Sequence, residues 1–254
     1  MSGRIFSSIG FEHIILKGNN ALPVFLDSED KKYFLNLFMS KKKDSTIFIS
    51  YCLMSNHIHL VIKEDNPEEI SKLIENTLKP YVSWFNQKYN RNNSLFKKRF
   101  YNEPIEDEIQ LLNTIKYIHK NPVAAGMVST VEQYPWSSYK EYRGIIAKNR
   151  IDLEYVSSII SIEQVILENR KFFEDDSKNE KYTDSYEYVA NLVKDFFDSL
   201  GIDCSIYDIK KMNNEYQTKL LKYLCETKRC KRKAIVKVTG MSENYIYKLL
   251  LKEI

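Results

Sequence analysis

The sequence lacks the features of membrane-embedded and secreted proteins. No apolar run approaches the roughly 18 residues that a membrane-spanning helix needs, and residues 1–6 lack the apolar core of a signal peptide. The four cysteines (Cys52, Cys204, Cys225 and Cys230) show no metal-type pairing, which favours a cytoplasmic protein with reduced thiols. A glycine-rich phosphate-binding loop is also absent, which argues against an attached nucleotide-driven domain such as a helicase.

The composition is that of an ordinary globular protein. The 254 residues are 43% hydrophobic and 28% charged, enough for one large domain or for a medium domain with an appendage. The formal net charge of +4 permits binding to nucleic acid without requiring it. Local clusters of basic residues therefore have to decide that question.

The stretch 53–62, LMSNHIHLVI, organises the rest of the chain. Successive side chains of a strand point to opposite faces, so Ile58 and Leu60 face a core while His57 and His59 share the other face. Two neutral imidazoles at this spacing can bind one metal ion. The pair alone is a weak signal, because two histidines can also simply cover a sheet surface.

The patterns around this strand predict the element order βαββαβ followed by a helix. Strands are expected at 11–16, 46–53 and up to Ile105, with helices starting near Asp27, at Asn66–Pro67 and at Glu106. Pro80 should kink or break the second helix, and Asn121–Pro122 should end the third. We therefore predict an α+β fold, a ferredoxin-like antiparallel sheet with helices on one face and the other face free for a substrate.

The chain after about residue 151 is helical in pattern, so an all-helical C-terminal region is expected. We predict a first domain at 1–145, a helical extension or linker at 146–190 and a helical domain at 191–254. The last of these has the outline of a helix-turn-helix around Gly240, preceded by a basic run. A basic run is usually a solvated surface, but beside this motif we expect Lys231, Arg232 and Lys233 to contact DNA phosphates.

Tyr117 and Asn121 lie four residues apart on the third predicted helix, so they stack on one of its faces. That face lies beside the apolar stripe of Leu112, Ile115 and Ile118, so Tyr117 need not be a core residue. The chain has 18 tyrosines, and packing or simple surface exposure is the default role of any one of them. The surrounding sequence gives Tyr117 its weight.

Three motifs in order resemble one protein family. They are His57-Ile58-His59, then the stretch from Tyr117 to Gly126 (YIHKNPVAAG), then Tyr134 to Tyr139 (YPWSSY). The chain from about Phe11 to Gly144 is similar to the REP-associated branch of the single-tyrosine transposases. These belong to the HUH endonuclease superfamily, in which U is a hydrophobic residue, here Ile58.

The resemblance implies a metal-dependent transposase that cuts and rejoins single-stranded, hairpin-containing DNA. Tyr117 would be the nucleophile of a 5′-phosphotyrosine intermediate, and His57, His59 and Asn121 would hold Mg²⁺ or Mn²⁺. The covalent link conserves the phosphodiester energy, so no nucleotide cofactor is expected. His13 should line the sheet and His119 should lie on the helix flank, neither with an assigned role.

The implied partner is a REP-like or element-end DNA hairpin, bound by a monomer or homodimer near the nucleoid and away from membranes. In the first domain we expect the DNA backbone to be contacted by Lys17, Asn19, Asn20, Lys98 and Arg99. For Lys98 a plain solvated surface position is an equally good interpretation.

Three other functions stay open. The main alternative is a domesticated DNA-binding regulator that retains the fold without strand transfer. A replication initiator or conjugative relaxase would share the chemistry, and a metal-binding protein unrelated to DNA is the remote case.

Overall fold

The computed structural model describes residues 4–145, 150–170, 186–202, 204, 206–228 and 230–251. The chain divides into two compact units. The first comprises residues 1–121 and 130–175, and the second comprises residues 122–129 and 176–254. The domain boundaries predicted at 145 and 190 stay predictions.

The first unit is built on a four-stranded sheet of order β2-β3-β1-β4, in which every neighbouring pair is antiparallel. The predicted α+β class and the order βαββαβ followed by a helix are confirmed. The strands are β1 (Phe11–Lys17), β2 (Ile47–Leu53), β3 (His57–Lys63) and β4 (Tyr101–Ile105). The helices are α1 (Ser28–Lys41), α2 (Pro67–Lys88), α3 (Glu108–Ala124), α4 (Tyr139–Tyr142), α5 (Leu153–Ser157) and α6 (Ile162–Arg170).

The starts of α1 and α2 follow from local capping chemistry. Asp27 caps α1, since its carboxylate accepts from the Asp30 amide while the Asp30 side chain accepts from the Asp27 amide. Asn66 caps α2 and Pro67 occupies its first turn, where a missing N–H costs nothing. Both starts lie where the sequence predicts them.

The predicted end at Asn121–Pro122 is wrong, and α2 is not broken at Pro80. Helix α2 continues through Pro80 to Lys88, because the Tyr81 and Phe85 rings beyond it are fully buried and offset the lost backbone bond. Helix α3 continues through Pro122 and stops where Gly126 adopts a φ of 70°. The Gly126 amide then bonds Val123 O and the Met127 amide bonds Pro122 O, both at 2.9 Å, which satisfies the last carbonyls of the helix.

The sheet carries helices on both faces, so the expectation of one free face is wrong. Helices α1 and α2 cover the apolar face, where the Phe38 ring lies 4.7 Å from the Phe48 ring. Helix α3 covers the other face, and its His119 ring reaches Ser50 of β2 at 3.3 Å. The reason is that α3 has its own apolar stripe to bury, including Ile115 and Ile118.

The open edge of β2 is paired with irregular segments from further along the chain. The Leu53 amide bonds Trp136 O, the Ser138 amide bonds Tyr51 O and the Asp152 amide bonds Phe48 O, at 2.8–3.0 Å. These bonds satisfy backbone groups that would otherwise template pairing with another chain. The contacts of the first unit therefore extend at least to Asp152.

The regular secondary structure in the described residues of the second unit is all helical, in agreement with the sequence. It contains α7 (Tyr186–Ser199), α8 (Asn214–Lys222), α9 (Arg232–Thr239) and α10 (Glu243–Leu251). Helix α9 ends at Gly240, whose φ of 66° turns the chain towards α10. Side chains from all four helices share one core, among them Val189, Leu220, Ile235 and Ile246. Among the described helices, none is long and apolar enough to cross a membrane.

Candidate active site

Three of the four histidines lie together on the α3 face of the sheet. Ile15 pairs with His59, which makes His13 and His59 diagonal neighbours on adjacent strands. His13 Nε2 lies 2.8 Å from His59 Nδ1, and the two rings stack with centroids 5.1 Å apart. The His57 ring lies edge-on to His59 at 4.8 Å. His57 and His59 therefore lie on the same face of β3, as the sequence predicts.

Helix α3 brings Tyr117 to these histidines. Its ring lies edge-on to His59 at 5.7 Å and to His13 at 6.2 Å between centroids. The Tyr117 side chain is nevertheless 56% exposed, whereas His59 is 2% exposed. The tyrosine thus lies at the boundary between the buried histidines and solvent, off the core stripe of its helix.

Asn121 lies one turn beyond Tyr117. Its side-chain nitrogen donates a hydrogen bond of 2.9 Å to the Tyr117 carbonyl. That bond uses the amide nitrogen and leaves the amide oxygen available as a ligand for a hard ion.

The donor set fits a divalent ion. Nε2 of His59 is buried and has no hydrogen-bond partner among the residues that the structure describes. Such an atom costs free energy unless a ligand satisfies it. Within the same described residues, no three His, Cys, Asp or Glu side chains are grouped to hold a metal. An ion here would accordingly take two imidazoles and the Asn121 amide, with substrate or water completing its shell.

Burial favours the neutral form of the inner histidines, His13 and His59. Desolvation, together with the charges of His57, His13 and Lys17, lowers the pKa of His59 well below its usual value. Desolvation also lowers the pKa of His13, although a hydrogen bond to Glu103 acts in the opposite direction. A metal ligand must be unprotonated, so this environment suits the proposed role of His59.

The sequence assigns no role to two residues of this cluster, His13 and Glu103. His13 Nδ1 lies 2.8 Å from the Glu103 carboxylate of β4 and its other nitrogen contacts His59. The β1–β4 register places His13 directly opposite Glu103. No local pattern identifies this pair, because the two residues are 90 positions apart and meet only through sheet pairing.

His119 is a structural residue in the described contacts, and its expected place on the helix flank is wrong. It is fully buried, and its Nε2 lies 2.8 Å from Ser138 Oγ and 3.3 Å from Ser50 Oγ. Burial lowers its pKa to about 3. Its contacts tie α3 to β2 and to the segment paired with the edge of the sheet.

Three predicted DNA contacts line one cavity of about 360 Å³. Lys17, Lys98 and Arg99 converge there, and we call this surface the basic groove. Lys17 pairs with His57 and so lies on the histidine face. Other lining residues, Leu16 of β1 and Ile74 and Leu78 of α2, belong to the apolar face. Its lining also includes basic residues and a carboxylate that the sequence did not single out for binding: Arg4, Glu75, Lys79 and Lys97.

Aromatic rings accompany the basic groove. The Arg4 guanidinium lies 3.7 Å from the centre of the Phe100 ring, and Lys17 Nζ lies 5.1 Å from that of Tyr101. Basic side chains interleaved with aromatic rings are typical of surfaces that bind single-stranded nucleic acid.

The Asn19–Asn20 loop lies beside the start of the histidine strand. The Gly18 amide bonds Asn56 O at 2.8 Å, and the Asn56 side chain bonds His57 Nδ1 at 2.6 Å. A Cβ at Gly18 would lie 2.1 Å from Leu22 O, so only glycine fits there. Asn20 is exposed at the tip of this loop with a φ of 53°.

The remaining predicted contacts, Lys231, Arg232 and Lys233, belong to the second unit. They are exposed at the start of α9. The Arg232 guanidinium lies 5.9 Å from the centre of the exposed Tyr247 ring of α10. Their role in DNA binding stays a prediction.

The sheet and its histidine–tyrosine cluster lie in the stretch of the chain that is similar to a known transposase family. Residues 11–121 match the family model described as "Transposase IS200 like". A Haemophilus influenzae protein with the provisional name REP-associated tyrosine transposase is 27% identical over 135 residues, which cover 46% of this chain and 76% of that protein. The resemblance found in the sequence is thus confirmed.

A solved structure of a REP-associated tyrosine transposase bound to a REP hairpin is also similar. It shares 16% identity with a TM-score of 0.48, covering 57% of this chain and 87% of that one.

Proposed function

We propose that this protein is a metal-dependent transposase that cleaves and rejoins single-stranded, hairpin-containing DNA through a 5′-phosphotyrosine at Tyr117. The observation that carries the proposal is the position of Tyr117 beside His59. An exposed phenol lies edge-on to His59, whose Nε2 is buried and lacks a partner among the described residues. A nucleophile and an ion-binding nitrogen thus share one small site, as in-line phosphoryl transfer needs.

Each residue has a distinct part in the reaction. His57, His59 and Asn121 would hold Mg²⁺ or Mn²⁺, and such an ion polarises a non-bridging phosphate oxygen. Tyr117 Oη attacks phosphorus and loses its proton to solvent. The bond from phosphorus to the 3′ oxygen breaks, and that oxygen takes up a proton to become a 3′-hydroxyl. Attack by a 3′-hydroxyl on the phosphotyrosine reverses these changes and joins the strands.

The basic groove is the proposed path of the DNA strand away from Tyr117. Lys17, Lys98 and Arg99 would contact phosphates, and the flanking Phe100 and Tyr101 rings would support bases or sugars. Lys17 links the two places, because it pairs with His57 and also lines the groove. A strand whose scissile phosphate lies at the histidines would therefore reach the groove by way of Lys17.

The substitution Tyr117→Phe tests the nucleophile and separates the enzyme from a DNA-binding regulator. It removes one hydroxyl, so the fold and hairpin binding should persist while the covalent adduct disappears. With Mg²⁺ or Mn²⁺ and hairpins from the DNA flanking its gene, the wild type should give a protein–DNA species that survives a denaturing gel. Mass spectrometry should place the adduct on the peptide that contains Tyr117.

Tyr247→Phe is the matched control, because Tyr247 is similarly exposed, at 52%, but lies in the second unit. It should form the adduct like the wild type. An adduct on another tyrosine would refute the assignment of Tyr117. No adduct from the wild type on any such hairpin would favour the regulator.

A further inference from the structure

We infer that Glu103 and His13 are positioning residues that hold His59 in the tautomer whose Nε2 is free to bind a metal ion. The inference rests on the proposed metal-dependent function and extends it beyond the residues that would touch the ion. It follows from a chain of two hydrogen bonds, Glu103 to His13 and His13 to His59, each of 2.8 Å.

Glu103 determines which atom donates and which accepts in both hydrogen bonds. A carboxylate can only accept hydrogen bonds, so Nδ1 of His13 must carry the proton that Glu103 accepts. A neutral His13 then has Nε2 as an acceptor. That nitrogen faces Nδ1 of His59, so the second hydrogen bond requires the proton on Nδ1 of His59.

The inner end of the chain faces the proposed metal site. With its proton on Nδ1, a neutral His59 presents an unprotonated Nε2, the same atom that is buried without a partner among the described residues. The opposite tautomer would place an N–H there and block a metal ion. Outer partners of this kind orient a ligating histidine and select its tautomer.

The geometry of the sheet makes this arrangement rigid. Glu103 and His13 are directly opposite each other on β4 and β1, and His59 is a diagonal neighbour on β3. His13 and His59 are each 2% exposed, whereas the Glu103 side chain is 66% exposed. Glu103 can therefore be replaced with little disturbance to the core.

The test compares Glu103→Met with Glu103→Gln in the full chain. Methionine has a similar length but cannot orient His13, whereas the amide oxygen of glutamine can still accept its proton. Glu106→Met is the matched control for the loss of one negative charge, because the Glu106 carboxylate bonds Ser8 and not a histidine. Two readouts apply, namely ¹⁵N NMR of the His59 ring without metal at neutral pH, and Mn²⁺ affinity from calorimetry.

In the wild type and Glu106→Met, we expect the His59 proton on Nδ1. Glu103→Met should shift the proton at least partly to Nε2 and weaken Mn²⁺ binding about 10-fold. Glu103→Gln should restore most of the Nδ1 tautomer and most of the Mn²⁺ affinity. An unchanged tautomer in Glu103→Met would overturn the inference, as would an equal loss of affinity in Glu106→Met.

The NMR readout does not depend on cleavage or on metal binding. If the wild type fails to bind Mn²⁺, the metal-dependent function fails. The His59 tautomer then still decides whether Glu103 and His13 control it, and a wild-type proton on Nε2 would overturn that claim.

Discussion

On the face of the sheet covered by α1 and α2, β1 and β3 present Ile14, Leu16, Ile58 and Leu60, all of them buried. On the α3 face the same two strands present His13, His57 and His59. The alternation of side chains along a strand allows this division, because neighbouring residues never share a face. One face can thus be optimised for packing while the other holds polar groups in fixed positions.

The polar face has its own costs. Buried imidazoles lose solvation, and the structure compensates with a hydrogen bond from His13 to Glu103 and one between His119 and Ser138. Two ring nitrogens, Nε2 of His59 and Nδ1 of His119, remain without a partner among the described residues. The first is the nitrogen proposed to bind the metal ion, and the second belongs to a histidine with structural contacts. The polar face therefore holds both the groups proposed for chemistry and a group, His119, that serves stability.

The largest expected effect belongs to the polar face. The substitution His57→Ala should lower the cleavage rate by about 10³-fold, roughly 4 kcal/mol of transition-state stabilisation, because one imidazole and an amide hold a hard ion weakly. The free energy of unfolding should change by less than about 1 kcal/mol, since His57 is only partly buried. Cleavage assays and urea unfolding measure the two quantities. Excess chelator should mimic the substitution in the wild type, and full activity in chelator would exclude the metal.

On the apolar face, a substitution should reduce stability much more than it reduces the cleavage rate. Leu60→Ala, next to His59 but facing α1 and α2, should lower the free energy of unfolding by about 3 kcal/mol through a cavity in the core. The fraction that remains folded should cleave DNA at nearly the wild-type rate. Urea unfolding and cleavage at low temperature measure both quantities. A loss of activity with unchanged stability would mean that the two faces are not independent.

Acid should lower the free energy of unfolding, and His119 on the polar face should contribute to this loss. Its pKa is about 3 in the folded chain and near 6.5 when unfolded. Below pH 6.5 the unfolded state binds a proton that the folded state does not, so stability falls as the pH drops from 6.5 towards 3. The contribution of His119 at pH 5 should be a loss of about 2 kcal/mol.

The substitution His119→Gln tests this contribution, because glutamine can bond Ser138 but does not titrate. Urea unfolding at pH 7 and pH 5 should show a smaller acid loss than in the wild type. Because His13 and His59 also have lowered pKa values, some acid sensitivity should remain. An unchanged acid loss would show that His119 already carries a proton when folded.

The smallest effect is expected outside the sheet. Replacement of Lys231, Arg232 and Lys233 by glutamine should weaken hairpin binding about 10-fold, or about 1.4 kcal/mol, through lost phosphate contacts. The same change of Lys98 and Arg99 provides the comparison within the basic groove. Fluorescence anisotropy at several salt concentrations should show a shallower salt dependence for each variant. Binding unchanged by the first replacement would restrict the DNA site to the first unit.

Local patterns were sufficient for much of the first unit. The two-residue period of 57–62 separated His57 and His59 from Ile58 and Leu60, and Asp27 and Asn66 marked two helix starts. These features depend on a few neighbouring residues, so they are readable without the fold. The predicted helix end at Pro122 is wrong, because core packing and the turn at Gly126 outweigh a single lost backbone bond.

By itself, the sequence determined the strand that carries His57 and His59, the helix that carries Tyr117 and Asn121, and the family resemblance. Only the tertiary structure decided that α3 lies on the histidine face, that His13 links Glu103 to His59, and that Arg4 joins Lys17 and Arg99 in one groove. The physical reason is that a periodic pattern states which side of an element is apolar. It does not state which strands pair, in which register, or which helix covers the remaining face.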